Sequence, residues 1–168
     1  MHASTEQIWS WLAEVPDPEI PVISVVDLGI VRNVAWEDSR CVVTITPTYS
    51  GCPAMLVIAE SIETALKQHG VAHFTMKTQL SPAWTTDWMS DAGKVKLKNY
   101  GIAPPAQQVI DISGLRGLSR KHASVLQVTC PNCGSIHTHC SSQFGSTPCK
   151  ALYRCDDCLE PFDHFKCH

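Results

Sequence analysis

Two places in this 168-residue chain carry residue types and spacings that can do chemistry. One is a pair of CxxC turns, Cys130-Pro-Asn-Cys133 and Cys155-Asp-Asp-Cys158, separated by residues 134–154. A CxxC turn aims two thiolates at one ion while backbone N–H groups temper their charge, and two such turns complete a tetrahedral four-sulfur site. Gly134 after the first pair favours the tight bend this needs, although the gap between the pairs is marginally longer than the common ribbon range. Structural Zn²⁺ is the expected ion and iron the alternative, because the same ligands serve a static role more often than electron transfer. Disulfides or free structural cysteines are the remaining reading. Cys149 and Cys167 are candidates for additional metal ligands, since each follows an aromatic or Gly-rich turn near the second pair. Cys140, His137, His139, His164 and His168 read as surface or packing residues.

The other place is Cys52, in Thr44-Ile-Thr-Pro-Thr-Tyr-Ser-Gly-Cys-Pro53. Pro53 suits a first helical turn, which makes Cys52 the expected N-cap. Free N–H groups and the positive end of the helix dipole favour a thiolate there, and hence a nucleophile. Thr46, Thr48, Tyr49 and Ser50 surround it with hydroxyls, and Asp17, Glu19 and Asp27 are upstream carboxylates that could fold back beside it. One thiolate with one or two carboxylates is incomplete as a permanent metal site but adequate for transient handling of iron. On the residues alone the plainer reading is structural: a small side chain filling a strand-to-helix corner, with the aspartates capping turns. No histidine lies near Cys52, and neither Gly-x-Ser-x-Gly nor Gly-x-Gly-x-x-Gly occurs, so thiol-protease, hydrolase and dinucleotide readings have little support.

The elements that must position these residues follow from periodicity. Ser4–Val15 reads as a short helix with Ser4 and Gln7 as a capping box, stopped by Pro16 and Pro18. Ile30–Trp36 and Cys41–Thr46 read as strands joined by the polar turn Glu37-Asp-Ser-Arg40. Met55, Ile58, Ile62 and Leu66 mark a helix over 53–69, with Gly70 as its C′ residue. Val71–Leu80 alternates as a strand, and Ser90 caps a helix running to about Tyr100. Trp84 and Trp88 read as packing over the sheet, with a partner-facing patch as the alternative. The order predicts an α+β domain with a small mixed sheet and helices over 1–106, a linker over 107–124, and a C-terminal four-cysteine zinc ribbon over 125–168.

Composition agrees with folded, soluble domains: 44% hydrophobic, 17% charged, net charge −3. That balance names neither nucleic acid nor an anionic membrane as a partner, and no apolar run approaches a membrane span. Asp156, Asp157, Glu160 and Asp163 around the second CxxC point to a protein partner. Nine cysteines, an odd number, without a visible secretory signal point to a reducing cytoplasm.

Four motifs carry a resemblance. Asp17-Pro-Glu-Ile-Pro-Val22, Asp27-Leu-Gly-Ile30, Thr46-Pro-Thr-Tyr-Ser-Gly-Cys-Pro53 and Ala83-Trp-Thr-Thr-Asp-Trp-Met89 resemble the domain shared by SufT-type and cytosolic iron–sulfur assembly factors. With Phe144-Gly-Ser-Thr-Pro-Cys-Lys-Ala-Leu-Tyr-Arg-Cys155 and Glu160-Pro-Phe-Asp163, the chain outside 109–124 resembles the PaaD family. Those are small accessory subunits encoded with the bacterial phenylacetyl-CoA epoxidase (ring 1,2-phenylacetyl-CoA oxygenase) system. The resemblance implies a role in aerobic phenylacetate catabolism, in helping to install or maintain an iron–sulfur or di-iron centre of the epoxidase, without being the oxygenase. It makes Cys52 the reactive cysteine, Asp27 its acidic neighbour, and Cys130, Cys133, Cys155 and Cys158 the ribbon ligands; Glu19 and Thr48 are added to the transient-handling set from the residues alone. Its implied partners are the reductase or oxygenase components, and a homodimer is a further expectation. A non-catalytic coupling subunit and a rubredoxin-like electron carrier stay open as alternatives. The Glu-x-x-His pairs of a di-iron oxygenase and the nucleotide-binding loops of a reductase are both missing.

Overall fold

The structure is a computed structural model that describes residues 3–49, 51–105 and 127–166. The expected linker 107–124, Ser50, Cys167 and His168 lie outside the described residues. Contacts divide the chain into two compact units, residues up to Tyr100 and Gly101–Lys166.

In the first unit, α1 (Thr5–Leu12) starts where Ser4 and Gln7 exchange side-chain and backbone hydrogen bonds at 2.9 and 3.2 Å, the predicted capping box. It buries Ile8 and Leu12. β1 (Val31–Glu37) and β2 (Arg40–Ile45) form an antiparallel hairpin. Its two turn residues, Asp38 and Ser39, both take positive φ, the geometry that matches strand twist. α2 (Ala54–Gln68) buries Ala54, Ile58, Ile62 and Leu66, one stripe at three- and four-residue spacing. It crosses over to β3 (Phe74–Thr78), which pairs parallel to β2, so the sheet runs β1-β2-β3 with β2 central. The carboxyl ends of β2 and β3 therefore lie side by side, and loop 46–53 and segment 79–85 leave from that one edge. A 3₁₀ turn at Thr86–Trp88 precedes α3 (Asp91–Asn99), whose N-cap Ser90 accepts a hydrogen bond from the Gly93 N–H at 2.9 Å.

The second unit is a four-stranded sheet in the order β4-β7-β6-β5. Its strands are β4 (Ile102–Ala103), β5 (Thr138–Ser142), β6 (Lys150–Cys155) and β7 (Pro161–Phe165). β5, β6 and β7 are an antiparallel meander, and β4 adds parallel to β7 through Ile102–Asp163 and Ala103–His164. Two residues are too short to show a period, which is why β4 has no signature in the sequence. The core here is small: one cluster of Ala103, Val128, Cys130, Cys155 and Phe162, with Tyr153 and Cys158 against it, and beside it the buried Ile102, Cys149, Ala151 and Phe165. The whole is α+β: a small mixed sheet with three helices among the described residues, followed by a ribbon.

Candidate metal centre and the Cys52 site

The ribbon brings both CxxC turns together. The first turn is closed by the Cys130 N–H, which donates to Ser135 O at 2.8 Å, and by the Gly134 N–H, which donates to Cys130 O at 2.9 Å. The second turn follows β6 directly, with Cys155 as the last strand residue. The four sulfurs of Cys130, Cys133, Cys155 and Cys158 lie within 4.8 Å of one another. Cys130–Cys158 and Cys133–Cys155 approach to 3.8 and 3.5 Å. A tetrahedron with Zn–S bonds of about 2.3 Å has edges of about 3.8 Å, so the donor set fits zinc without rearrangement.

The electrostatics also call for a cation. The N–H of Cys158 pulls the Cys155 thiol down to about 7, against the push of burial. Cys158 goes the other way: although the Glu160 N–H lowers it, burial and the three neighbouring sulfurs push it up to about 12. Four thiols this close resist ionising together, and a dication removes that conflict. Next to the second turn, Asp157 pairs with His137 Nδ1 at 3.2 Å and accepts from Ser135 Oγ, and Asp156 pairs with His139 Nδ1 at 2.8 Å. These contacts tie the segment after the first CxxC turn and the start of β5 to the second CxxC turn. Cys149 is buried beside Thr147 Oγ1 at 3.0 Å and is not one of the four gathered sulfurs.

Cys52 sits half-buried immediately before α2. The helix begins one residue later than expected: Pro53 is the N-cap, in helical geometry and with no side-chain hydrogen bond, because proline offers no capping group. Cys52 O accepts from Met55 N–H at 3.3 Å, and Cys52 N–H donates to Tyr49 O at 3.3 Å, so the thiol rides on two consecutive turns. Beside this loop a cavity of 330 Å³ is lined by Thr46, Pro47, Thr48, Tyr49, Leu80, Ala83 and Trp84. Thr46 Oγ1 is buried there without a hydrogen-bond partner among the described residues. A larger groove between α1 and α2, 450 Å³, contains Trp11 stacked on His69 but none of the candidate residues. Cys41, fully buried in β2, has its thiol pushed up by burial and is a packing residue.

Asp27 is occupied by its own fold. Its carboxylate accepts from Ser90 Oγ at 2.7 Å, Lys96 Nζ at 2.6 Å and Ser24 N–H at 3.4 Å, while Ser24 Oγ accepts from Asp27 N–H at 3.0 Å. Ser24 and Asp27 thus form a reciprocal cap within one turn, whereas the lysine 69 residues on has no local signature. The turn after Asp27 supports both walls of the Cys52 loop. Leu28 O accepts from Trp84 Nε1 at 2.9 Å, and Ile30 O accepts from Thr46 N–H at 2.9 Å. Glu19 N–H and Ile20 N–H donate to Asp17 Oδ1 at 2.9 and 2.8 Å, which makes Asp17 a turn cap. Among the described residues, Cys52, Asp27 and Glu19 do not converge as a three-ligand group; the four ribbon cysteines do.

Comparison with known proteins matches both units. Residues 5–73 match the family described as iron-sulfur cluster assembly protein, and residues 117–166 match the PaaD zinc beta ribbon domain. The chain is 48% identical over 161 residues to an Escherichia coli (strain K12) protein named as a subunit of "Putative 1,2-phenylacetyl-CoA epoxidase", covering 96% of this chain and 92% of that one. It is 35% identical over 97 residues to the Fe-S protein maturation auxiliary factor YitW of Bacillus subtilis (strain 168), covering 56% of this chain and 94% of the relative. A crystal structure of a domain of unknown function, DUF59, from Bacillus anthracis superposes with TM-score 0.51 at 29% identity, covering 55% of this chain and 89% of that one. An assembly domain joined to a cysteine ribbon, with one relative alike along nearly its whole length, places the chain in the PaaD family of phenylacetyl-CoA epoxidase subunits.

Proposed function

We propose that this protein is an accessory maturation factor for phenylacetyl-CoA epoxidase in aerobic phenylacetate catabolism, working in the cytoplasm on a reductase or oxygenase component. It assists assembly or maintenance of an iron–sulfur or di-iron centre in that partner and is not itself the oxygenase. The observation that carries this reading is the contrast between its two cysteine sites. Four sulfurs in the ribbon close on one another, which suits a resident structural Zn²⁺. Cys52 stands apart from them, half-buried at an uncapped helix N-terminus. A lone thiol at such a position can take a metal or cluster as cargo and give it up again, because its coordination is incomplete without the partner's ligands. Glu19 and Thr48 are the side chains proposed to complete a transient contact. Asp27 supports the loop through Leu28 and Ile30, since its own oxygens are engaged by Lys96, Ser90 and Ser24.

The test is metal analysis of anaerobically purified protein offered iron and sulfide. The wild type should hold about one zinc and take up labile iron in addition, and Cys52→Ser should keep the zinc and lose the iron. Equal labile iron on both proteins would remove Cys52 from the mechanism. A red protein carrying iron in the four-cysteine site would instead revive the rubredoxin-like carrier. A second reading has its own observation: with Asp27 fully bonded and no three-ligand group at Cys52 among the described residues, the first unit would be a coupling subunit without chemistry. Stoichiometric co-purification with an epoxidase whose metal content is untouched by Cys52→Ser would favour it.

A further inference from the structure

β5 and β6 are joined by Gln143-Phe-Gly-Ser-Thr-Pro-Cys149. β6 ends on the metal-ligand position Cys155, so its start at Lys150, and this loop with it, occupies the opposite pole of the ribbon from the four sulfurs. β7 runs back antiparallel and sets Phe165 against Lys150, which carries Lys166 to the same pole. There the Lys166 N–H donates to Cys149 O at 3.0 Å.

Most exposed loop tips are polar, but this one holds Phe144 with 71% of its surface in solvent. The loop beneath it is braced. Gly145 N–H donates to Lys150 O at 2.8 Å and Lys150 N–H to Thr147 O at 3.0 Å. Ser142 Oγ donates to Phe144 O at 2.8 Å and accepts from Phe144 N–H at 3.2 Å. Underneath, the buried Lys150 ammonium stands 3.5 Å from Asp163 Oδ2, which also accepts from Ser146 Oγ at 3.3 Å. Gly145 rests so closely on that carboxylate that a Cβ would lie 2.8 Å from Asp163 Oδ1. An aromatic ring held out on a rigid loop loses little freedom when it is buried by a partner, which is the physical profile of an interface anchor.

Charge says what that partner offers. The metal pole carries Asp156, Asp157 and Glu160, with Arg154 as a neighbouring cation, beside the four cysteine sulfurs. The loop pole carries Lys166, whose ammonium lies 4.8 Å over the Phe144 ring and donates to Gln143 O at 3.2 Å. No carboxylate among the described residues forms an ion pair with it. One cation beside one aromatic ring is too little for a nucleic-acid backbone but complements a protein pocket with an apolar floor and an acidic rim. We propose that Phe144 and Lys166 form the docking tip through which the ribbon grips an epoxidase component, and that this component presents an apolar pocket rimmed by carboxylates. The proposal rests on the accessory reading above.

The experiment uses the tagged full-length chain, purified with its zinc, and each epoxidase component in a binding titration at two salt concentrations. Phe144→Ala should weaken binding by about tenfold or more, while Phe144→Trp, which keeps the ring, stays close to wild type. Lys166→Glu should weaken it and reverse the salt dependence. Ile136→Ala, which truncates another exposed apolar side chain but at the metal pole, should bind as the wild type does. Each variant's zinc content is measured alongside. Phe144→Ala that binds within about twofold of wild type, or that loses zinc, overturns the docking tip and leaves the accessory reading standing. A wild-type chain that binds no component overturns both. Self-association lost in Phe144→Ala, with component binding kept, assigns the tip to a second copy of this chain and likewise overturns the proposal.

Discussion

Asp27 joins three parts of the first unit through one carboxylate: its own turn through Ser24, the cap of α3 through Ser90, and the later face of that helix through Lys96. Burial pushes its carboxyl up, but the hydrogen bonds from Lys96, Ser90 and Ser24 outweigh burial and hold it below the usual carboxylate value of 3.8. In acid the unfolded chain therefore binds the proton first. The stabilisation is fully present above that ordinary value and is lost as pH falls through the lower folded value. Asp27→Asn should cost about 2 kcal/mol at neutral pH, a figure kept low because the Lys96 ammonium is half exposed. Urea unfolding should show the gap between the two proteins closing below about pH 4, and a gap unchanged down to about pH 2 would contradict this account of Asp27.

At the scale of elements, the helices are legible because their faces are written in the spacing of Ile8, Leu12, Ile58, Ile62 and Leu66, and their starts in Ser4 and Ser90. The CxxC pairs are legible because their chemistry is local. What cannot be read depends on distant partners. Trp84 and Trp88, four apart, suggest one packed face, but they lie on an irregular segment and do different things. Trp84 is buried and donates to Leu28 O, whereas Trp88 is half-buried under the Arg32 guanidinium at 3.6 Å. Cys52, expected at the N-cap, stands one residue before it, since Pro53 enters helical geometry without a capping side chain. Gly29 shows how tightly this irregular segment is fitted. Its φ is +70°, and a Cβ would stand 2.5 Å from Trp88 O. Gly29→Ala should lower the melting temperature of the first unit by roughly 5 °C or more, through both strain and displacement of the 84–88 segment. A variant melting with the wild type would show that the segment yields freely.

Over the whole molecule, the two units are stabilised by different means. The first has an extended apolar core around β2 and α2, and all three helices among the described residues belong to it. Among the described residues the ribbon unit buries nine apolar side chains, three of them cysteines and two alanines, and two of those cysteines belong to the metal set. A core that small does not hold a sheet together without the cross-link that an ion supplies. Chelation should therefore abolish ribbon signals, such as near-ultraviolet dichroism from Tyr153 and Phe162, and leave far-ultraviolet helical dichroism in place. Loss of both in one transition would show that the units unfold together. That Cys52 serves a partner's metal centre while the ribbon keeps its own ion is tested most directly by the iron content of epoxidase components purified from cells that express either the wild-type chain or Cys52→Ser. The prediction is a several-fold fall in client iron with zinc in this chain unchanged at about one per molecule; fully metallated components beside Cys52→Ser would contradict it.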